Sequence, residues 1–205
     1  MKDRAELVAT VLLAFAAVAT AWSGYQATRW NGEQTKAASR TNAIRIDAAR
    51  AQGLSEAQKE VDVATFIQWV DAYVHRETEL TTFYARRFRA EFKPAFAAWL
   101  ATKPLTNERA PLTPFVMPQY VLAAEEEAKR LDAEAEVSAA QVRRNIQRAS
   151  NYILGVVLFS VALFFAGMST KLKDTRLREI TLALGYLVFL GTLVWIATSP
   201  VSFAV

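Results

Sequence analysis

The sequence has no cysteine, one histidine, seven glycines and six prolines among its 205 residues. Without cysteine the chain has neither disulfides nor a thiol nucleophile, which excludes a disulfide-stabilised secreted module and a cysteine-dependent enzyme. It also lacks G-x-S-x-G, a phosphate-binding glycine loop and H-E-x-x-H, which mark common hydrolases, nucleotide-binding proteins and zinc peptidases. We therefore expect no enzyme, no catalytic residue and no cofactor.

Charge is missing from three long stretches of the chain. The apolar segments Leu7 to Gly24, Tyr152 to Thr170 and Ile180 to Ser199 contain no Asp, Glu, Lys, Arg or His. About 20 residues at a rise of about 1.5 Å each cross the ~30 Å hydrocarbon core of a bilayer. The composition of 53% hydrophobic and 21% charged residues is therefore an average over two different parts, the uncharged apolar segments and the charged remainder. This division excludes a soluble enzyme domain and a disordered tail. It predicts an all-α membrane protein with three transmembrane helices.

The first apolar segment has a second interpretation. Lys2 and Arg4 precede it, and small residues alternate at 17, 19 and 21, which is also typical of a cleaved secretory signal peptide. The acidic Asp3 and Glu6 in the same N-terminal stretch favour a retained span. Both interpretations place the segment that follows on the same side of the membrane.

The short connections predict the orientation, because basic residues in short loops stay in the cytoplasm. We expect a cytoplasmic N-terminus, a periplasmic domain over residues 25–151, and a cytoplasmic loop over 171–179 in the hairpin of residues 152–205. The basic residues of that lipid-facing loop are Lys171, Lys173, Arg176 and Arg178. Aromatic residues gather where headgroups begin, and those at the periplasmic ends are Trp22, Tyr25, Trp30, Tyr152 and Trp195. The predicted location is a bacterial inner membrane.

The domain between the spans has helical and not strand-like periodicity. Residues 55–92 carry apolar side chains three to four apart, and Ser55 with Gln58 predicts a capped helix start. The four prolines between 102 and 118 predict an extended crossover. No proline follows between 119 and 172. We therefore expect one uninterrupted helix there, whose part before Tyr152, the stalk, continues the second span into an extramembrane helical bundle.

The stalk carries a heptad-like seam of mostly small residues at 121, 124, 128, 131, 135, 138, 142, 146 and 149. Small seam residues let two helices approach closely, and the expected partner is the Ala-rich segment 26–52. A seam with so few large side chains gives one chain a modest core. The sequence therefore predicts a coiled-coil-like homo-oligomer.

The stalk is also polarised by charge. Acidic residues lie far from the span, whereas Arg143, Arg144 and Arg148 lie close to it, joined by Arg29 from the first helix. Arginines at this level bind lipid headgroups, or form a basic ring at the mouth of an oligomeric pore that favours anions. The basic, aromatic stretch 83–100 also has two interpretations. It forms either a bundle core with a solvent-exposed basic face, or a helix that lies on a membrane or stacks on nucleic acid.

A metal site is the weakest of the chemical predictions. Asp71, His75 and Glu79 are four residues apart, so on one continuous helix they share a face, and carboxylate with imidazole can ligate zinc. The neighbouring Arg76 and Glu77 favour a solvated polar stripe instead.

Four stretches carry a family resemblance: WSGYQATRWNGEQ (22–34), RRFRAEFKPAFAAWLATKPL (86–105), PLTPFVMPQY (111–120) and FFAGMSTKL (164–172). In these the chain resembles a group of uncharacterised bacterial three-span inner-membrane proteins. The resemblance implies one N-terminal span, a helical periplasmic domain and a closing two-span hairpin. It implies no catalytic or binding residue.

The predicted function is that of a non-enzymatic structural or interaction protein that presents its periplasmic stalk to an envelope partner. The alternative is an oligomeric, anion-leaning channel with the four arginines at its mouth. The expected partners are membrane lipids, further copies of the chain and an envelope protein. A periplasmic domain has no access to nucleic acid, so nucleic acid is excluded as a partner.

Overall fold

The computed structural model describes residues 2–203, with side chains from Glu6 onward. The chain is 82% helical and the described part contains no strand. Its helices are α1 (Lys2–Val74), α2 (Thr78–Arg87), α3 (Lys93–Ala101), α4 (Ala123–Lys171) and α5 (Thr175–Ala197), with a 3₁₀ turn at Pro114–Val116. Of these, α1, α4 and α5 are long and apolar enough to cross a membrane. The predictions of an all-α fold and of three such helices are therefore confirmed.

Helix α1 is a single helix of 73 residues, so the start predicted at Ser55 is wrong. Ser55 belongs to a row of buried residues seven positions apart, formed by Thr41, Ala48, Ser55, Asp62 and Trp69. Residues at this spacing lie on one helix face. Packing of that face stabilises the helix through Gly32 and Gly53, although a glycine in a helix interior costs about 1 kcal/mol relative to alanine.

The end of α1 corrects a second prediction. The helix ends at Val74, and Arg76 takes the left-handed conformation with φ of 60°. Residues 55–92 are therefore divided among α1, α2 and the turn before α3. The other boundaries lie near those predicted: α4 ends at Lys171, and α5 begins at Thr175, where the side chain of Asp174 accepts hydrogen bonds from the amides of Arg176 and Leu177. The basic loop is thus shorter than 171–179.

The chain forms two compact units. We call Met1–Arg40 with Val137–Val205 the span unit and Thr41–Glu136 the aromatic unit. These boundaries differ from those expected from hydropathy at 24/25 and 151/152, because the buried face of α1 continues beyond Gly24, through Gln26, Ala27 and Trp30.

Small residues fill the core of the span unit. Ala9, Ala16, Ala162 and Ala166 are almost wholly buried. A Cβ built at Gly185 would lie 3.3 Å from both Leu12 Cδ2 and Phe165 Cβ, so α5 approaches α1 and α4 closely. Small residues at helix contacts are typical of membrane-spanning bundles, where backbones must come close to gain van der Waals contact.

The segment after α5 is fixed to the other two helices of the span unit. The carbonyl of Pro200 accepts hydrogen bonds from Trp30 Nε1 and from the Tyr152 hydroxyl, each at 3.2 Å. The side-chain amide of Gln26 accepts from the Ser202 amide at 3.0 Å and donates to its carbonyl at 3.5 Å. Trp30 and Tyr152 are therefore buried inside the protein, whereas Trp22 and Tyr25 are exposed and Trp195 is half-buried. The polar groups of Trp30 and Tyr152 are bonded to the protein backbone, so these two of the five predicted interface aromatics are covered by the protein itself.

In the aromatic unit, α1 pairs with the first turns of α4 in the opposite chain direction. Arg45 lies 3.6 Å from Glu136, and Lys59 lies 2.7 Å from Glu125. The seam residues Ala124, Ala128 and Ala135 are buried, whereas Val121 is exposed. In the span unit Ala149 is buried as predicted, but Asn145 takes the buried place expected for Ile146.

Candidate functional site

A cluster of six buried aromatic side chains forms the core of the aromatic unit. Its members are Phe66 and Trp69 of α1, Phe88 and Phe92 before α3, and Phe96 and Trp99 of α3. Pro94 lies in the first turn of α3, where its missing N–H costs no hydrogen bond. Most ring pairs meet edge to face, such as Phe66 with Trp99 at 5.3 Å between centroids, which is the favoured geometry for aromatic contacts. Of the two interpretations of stretch 83–100, the cluster supports the bundle core.

An open groove of about 480 Å³ lies beside this cluster. Phe66, Trp69 and Trp99 contribute to its lining, together with Tyr73 and the loop from Pro104 to Leu112. Large apolar side chains stand exposed at its edge: Val74 is 67% exposed, Leu105 60% and Leu112 94%. We call this the aromatic groove. Its exposed apolar edge is typical of a surface that binds another molecule.

The loop along the aromatic groove is held by hydrogen bonds to its own neighbours. Trp99 Nε1 donates to the Pro111 carbonyl at 2.7 Å. Asn107 donates from Nδ2 to the Thr102 carbonyl at 3.0 Å, and its Oδ1 accepts from the Arg109 amide at 3.1 Å. These bonds fix the loop in place, which lowers the entropy lost when a partner binds.

A buried polar network connects α1, the α2–α3 turn and the segment before α4. Asp62 is 0% exposed, and its Oδ2 accepts from Arg89 at 2.8 Å and from the Tyr120 hydroxyl at 3.0 Å. Arg89 also pairs with Glu91, whose Oε1 accepts from the Ala123 amide at 3.0 Å. The sequence analysis did not find this network. Its only local signal is an aspartate between Val61 and Val63, seven residues before Trp69.

The electrostatics of this network follow from its burial. Burial raises the pKa of Asp62, while the Tyr120 hydrogen bond and the charge of Arg89 lower it. Burial and the neighbouring Asp62 carboxylate raise the pKa of Tyr120. Asp62 is closed off from solvent, and the network connects α1 with the segments before α3 and α4.

The predicted metal ligands do not share a helix face. His75 Nδ1 lies 3.4 Å from Asp71 Oδ1, but Glu79 belongs to α2, beyond the left-handed turn at Arg76. Among the described residues, no group of three His, Cys, Asp or Glu side chains is placed to hold a metal ion. The geometry on which the metal prediction depended is therefore wrong.

The four arginines predicted to lie near the outer membrane surface all belong to the span unit. The Arg148 guanidinium lies 4.5 Å from the centroid of the Trp30 ring, and Arg144 donates to Gln141 at 2.7 Å. Arg143 is exposed. The Nε of Arg29 is buried without a hydrogen-bond partner among the described residues.

The acidic end of the stalk is largely paired within the chain. Glu125 meets Lys59 and Lys129, whose hydrogen bonds lower the pKa of this carboxyl. Further ion pairs join Glu126 to Lys129, Glu127 and Glu134 to Arg130, and Glu136 to Arg45. The separation of acidic and basic charge that the sequence shows along α4 is therefore weaker in the folded protein, because these ion pairs neutralise much of the acidic end.

These observations define an all-helical protein with three helices able to span a membrane and a second unit that carries an aromatic groove. No family model matches the sequence, and neither a curated protein nor a solved structure matches it.

Proposed function

We propose that this protein is a non-enzymatic inner-membrane interaction protein that presents the aromatic unit to a protein partner in the periplasm. The observation that carries the proposal is the aromatic groove, with Leu105 and Leu112 exposed at its edge. A partner segment with a large apolar side chain fits this groove, because the side chain can cover the exposed leucines and contact the ring edges beneath. Such anchor contacts contribute most of the binding energy of an interface.

Site-specific cross-linking in the native bacterium tests this proposal. A photoreactive phenylalanine analogue at Leu112 should give one dominant protein adduct, and the change Leu105→Glu should reduce its yield at least about tenfold. Val121→Glu is the matched control, since Val121 is an exposed apolar residue of the same unit that does not line the groove. Adducts that are absent, or that Leu105→Glu and Val121→Glu reduce equally, would contradict the proposal.

We further propose that the chain forms a homo-oligomer through the free face of α1. The buried row of that helix is covered within the chain, whereas Ile46, Leu54 and Val61 are exposed on another side of the helix. The small residues Gly53 and Ala57 lie among them and are exposed too. A second copy of α1 can pack closely there.

The oligomeric state of the full chain in detergent and in nanodiscs tests this arrangement. Leu54→Lys should shift the assembly to monomer, whereas Val137→Lys, at an exposed valine of α4, should not. A monomeric wild-type chain would overturn the assembly.

The channel is the second candidate, favoured by the exposed Arg143 and Arg144 at the base of the stalk. Chloride flux through liposomes containing the protein tests it. A channel requires measurable flux that falls when Arg143 and Arg144 are changed to Glu. Flux that is absent or indifferent to charge would leave only the interaction protein.

A further inference from the structure

A second groove, of about 250 Å³, lies within the span unit. Its lining includes Phe15, Ala19 and Ser23 of α1, Phe159 of α4, and Leu193 and Ile196 of α5. We call it the span groove. All these helices are able to cross a membrane. From Phe15 to Ser23 the groove follows α1 for about 12 Å at 1.5 Å per residue, which is most of the ~15 Å depth of one leaflet's hydrocarbon.

The apolar groove ends at an unused hydrogen-bond donor. Ser23 is fully buried, and its hydroxyl has no hydrogen-bond partner among the described residues. Serine and threonine in membrane helices usually donate to the carbonyl of the preceding turn. Thr20, Thr28 and Ser160 of the same unit do so, at 2.7, 3.1 and 2.8 Å. Ser23 is different: its hydroxyl makes no such bond, and the residue lies in the wall of the groove.

A second unused donor lies further along α1, on the row of Phe15 and Trp22 beside Ser23. Six residues after Ser23, or about 9 Å along the axis, the Nε of Arg29 is buried and also without a partner. Arg29 shares the face of Phe15 and Trp22, because seven residues complete about two helical turns. The order along α1 is therefore apolar groove, hydroxyl and guanidinium.

We propose that the span groove binds a phospholipid, with one acyl chain along Phe15 and Ala19, an ester carbonyl at Ser23 and the phosphate at Arg29. The order of these groups matches that of a phospholipid from tail to head. Trp22 and Tyr25 mark the same level, where headgroups begin. The site is on the span unit and does not depend on the function proposed for the aromatic groove.

Native mass spectrometry of the full chain with dioleoyl phosphatidylglycerol tests the site. The wild-type protein should retain one lipid through detergent washing. Ala19→Phe, which fills the groove, should lower the bound fraction at least about tenfold. Ala17→Phe is the matched control, because Ala17 is exposed on the same helix and does not line the groove.

Two smaller changes keep the test valid if Ala19→Phe disturbs folding. Ser23→Ala should weaken retention about threefold to tenfold and Arg29→Gln about tenfold, since each removes a hydrogen bond to the lipid. Arg50→Gln, at an exposed arginine of the same helix in the aromatic unit, should have no effect. Retention that is equal in the wild type and all three groove variants would overturn the proposal. It would also be overturned if Ala19→Phe changed the oligomeric state and left lipid retention unchanged, because a second copy of the chain would then occupy the groove.

Discussion

The cores of the two compact units differ in their share of small residues. In the span unit, small residues such as Ala16, Ala162 and Gly185 lie among large ones such as Phe159, whereas phenylalanine and tryptophan alone form the buried cluster of the aromatic unit. In water, burying a large aromatic side chain releases much apolar surface and stabilises the fold. Lipid provides no such gain, so helices there gain from close backbone approach instead. The small-residue contacts of the span unit agree with its helices being long and apolar enough to cross a membrane.

The largest effect is expected in the aromatic unit. Phe92 is fully buried at the centre of its cluster, so Phe92→Ala should destabilise this unit by about 3–5 kcal/mol. Phe83→Ala, at an exposed ring of α2, should cost less than about 1 kcal/mol. Urea unfolding of the full chain in detergent, followed by tryptophan fluorescence, measures both. Equal effects would show that ring burial does not hold the unit together.

The next effect concerns the buried network. Arg89→Ala removes a charged partner of Asp62 and leaves its carboxylate buried, which should cost about 3 kcal/mol. Arg86→Ala, at an exposed arginine of α2, should change the unfolding midpoint little. If the two variants unfold alike, the network contributes nothing to the stability of the aromatic unit.

A smaller effect is expected in the span unit. Gly185→Leu places a side chain where even a Cβ meets its neighbours at 3.3 Å, and should destabilise the helix packing by about 1–3 kcal/mol. At Gly191 nothing lies within 4 Å of an added Cβ, so Gly191→Leu should be tolerated. Thermal unfolding of the two variants in detergent compares their stabilities. A tolerated Gly185→Leu would contradict close packing of α5.

The smallest effect is electrostatic. Lys59 and Lys129 lower the pKa of Glu125 below its ordinary value of 4.5, so the pairing stabilises the folded protein above that pH and is lost as pH falls below it. Glu125→Gln should cost less than about 1 kcal/mol at pH 7, because the pairs are at the surface. The difference from wild type should shrink as pH falls below 4.5 and the carboxyl takes up a proton. A difference that does not change with pH would assign the effect to packing and not to charge.

The apolar segments and the long proline-free region could be predicted from sequence, because length and composition decide whether a segment can span a bilayer as a helix. The end of α1 at Val74 could not be predicted from sequence. The turn that follows it is at Arg76, a residue with no local preference for the left-handed conformation. The continuity of α1 through Gly53 could have been recognised from the seven-residue spacing of Thr41, Ala48 and Ser55. Gly53 obscured this pattern, because glycine is usually taken as a sign that a helix ends.

The candidate sites were less accessible to sequence analysis. Asp62 and its partners Arg89 and Tyr120 are 27 and 58 positions apart, and nothing in the residues between them specifies the pairing. The aromatic groove likewise depends on a loop whose place is fixed by Trp99 and Pro111. For Arg29, Arg143, Arg144 and Arg148, the sequence indicated only that they lie close to the membrane-spanning segments. The tertiary structure distinguished Arg148, which stacks on Trp30, from Arg29, whose Nε has no partner.

The sequence by itself determined the helical class and the three apolar helices, because these depend on hydrogen bonds and hydrophobicity within single segments. Only the tertiary structure decided which face of each helix is buried, which polar groups are paired and where two grooves open. Those properties depend on contacts between residues far apart in the chain, and local composition carries no record of them.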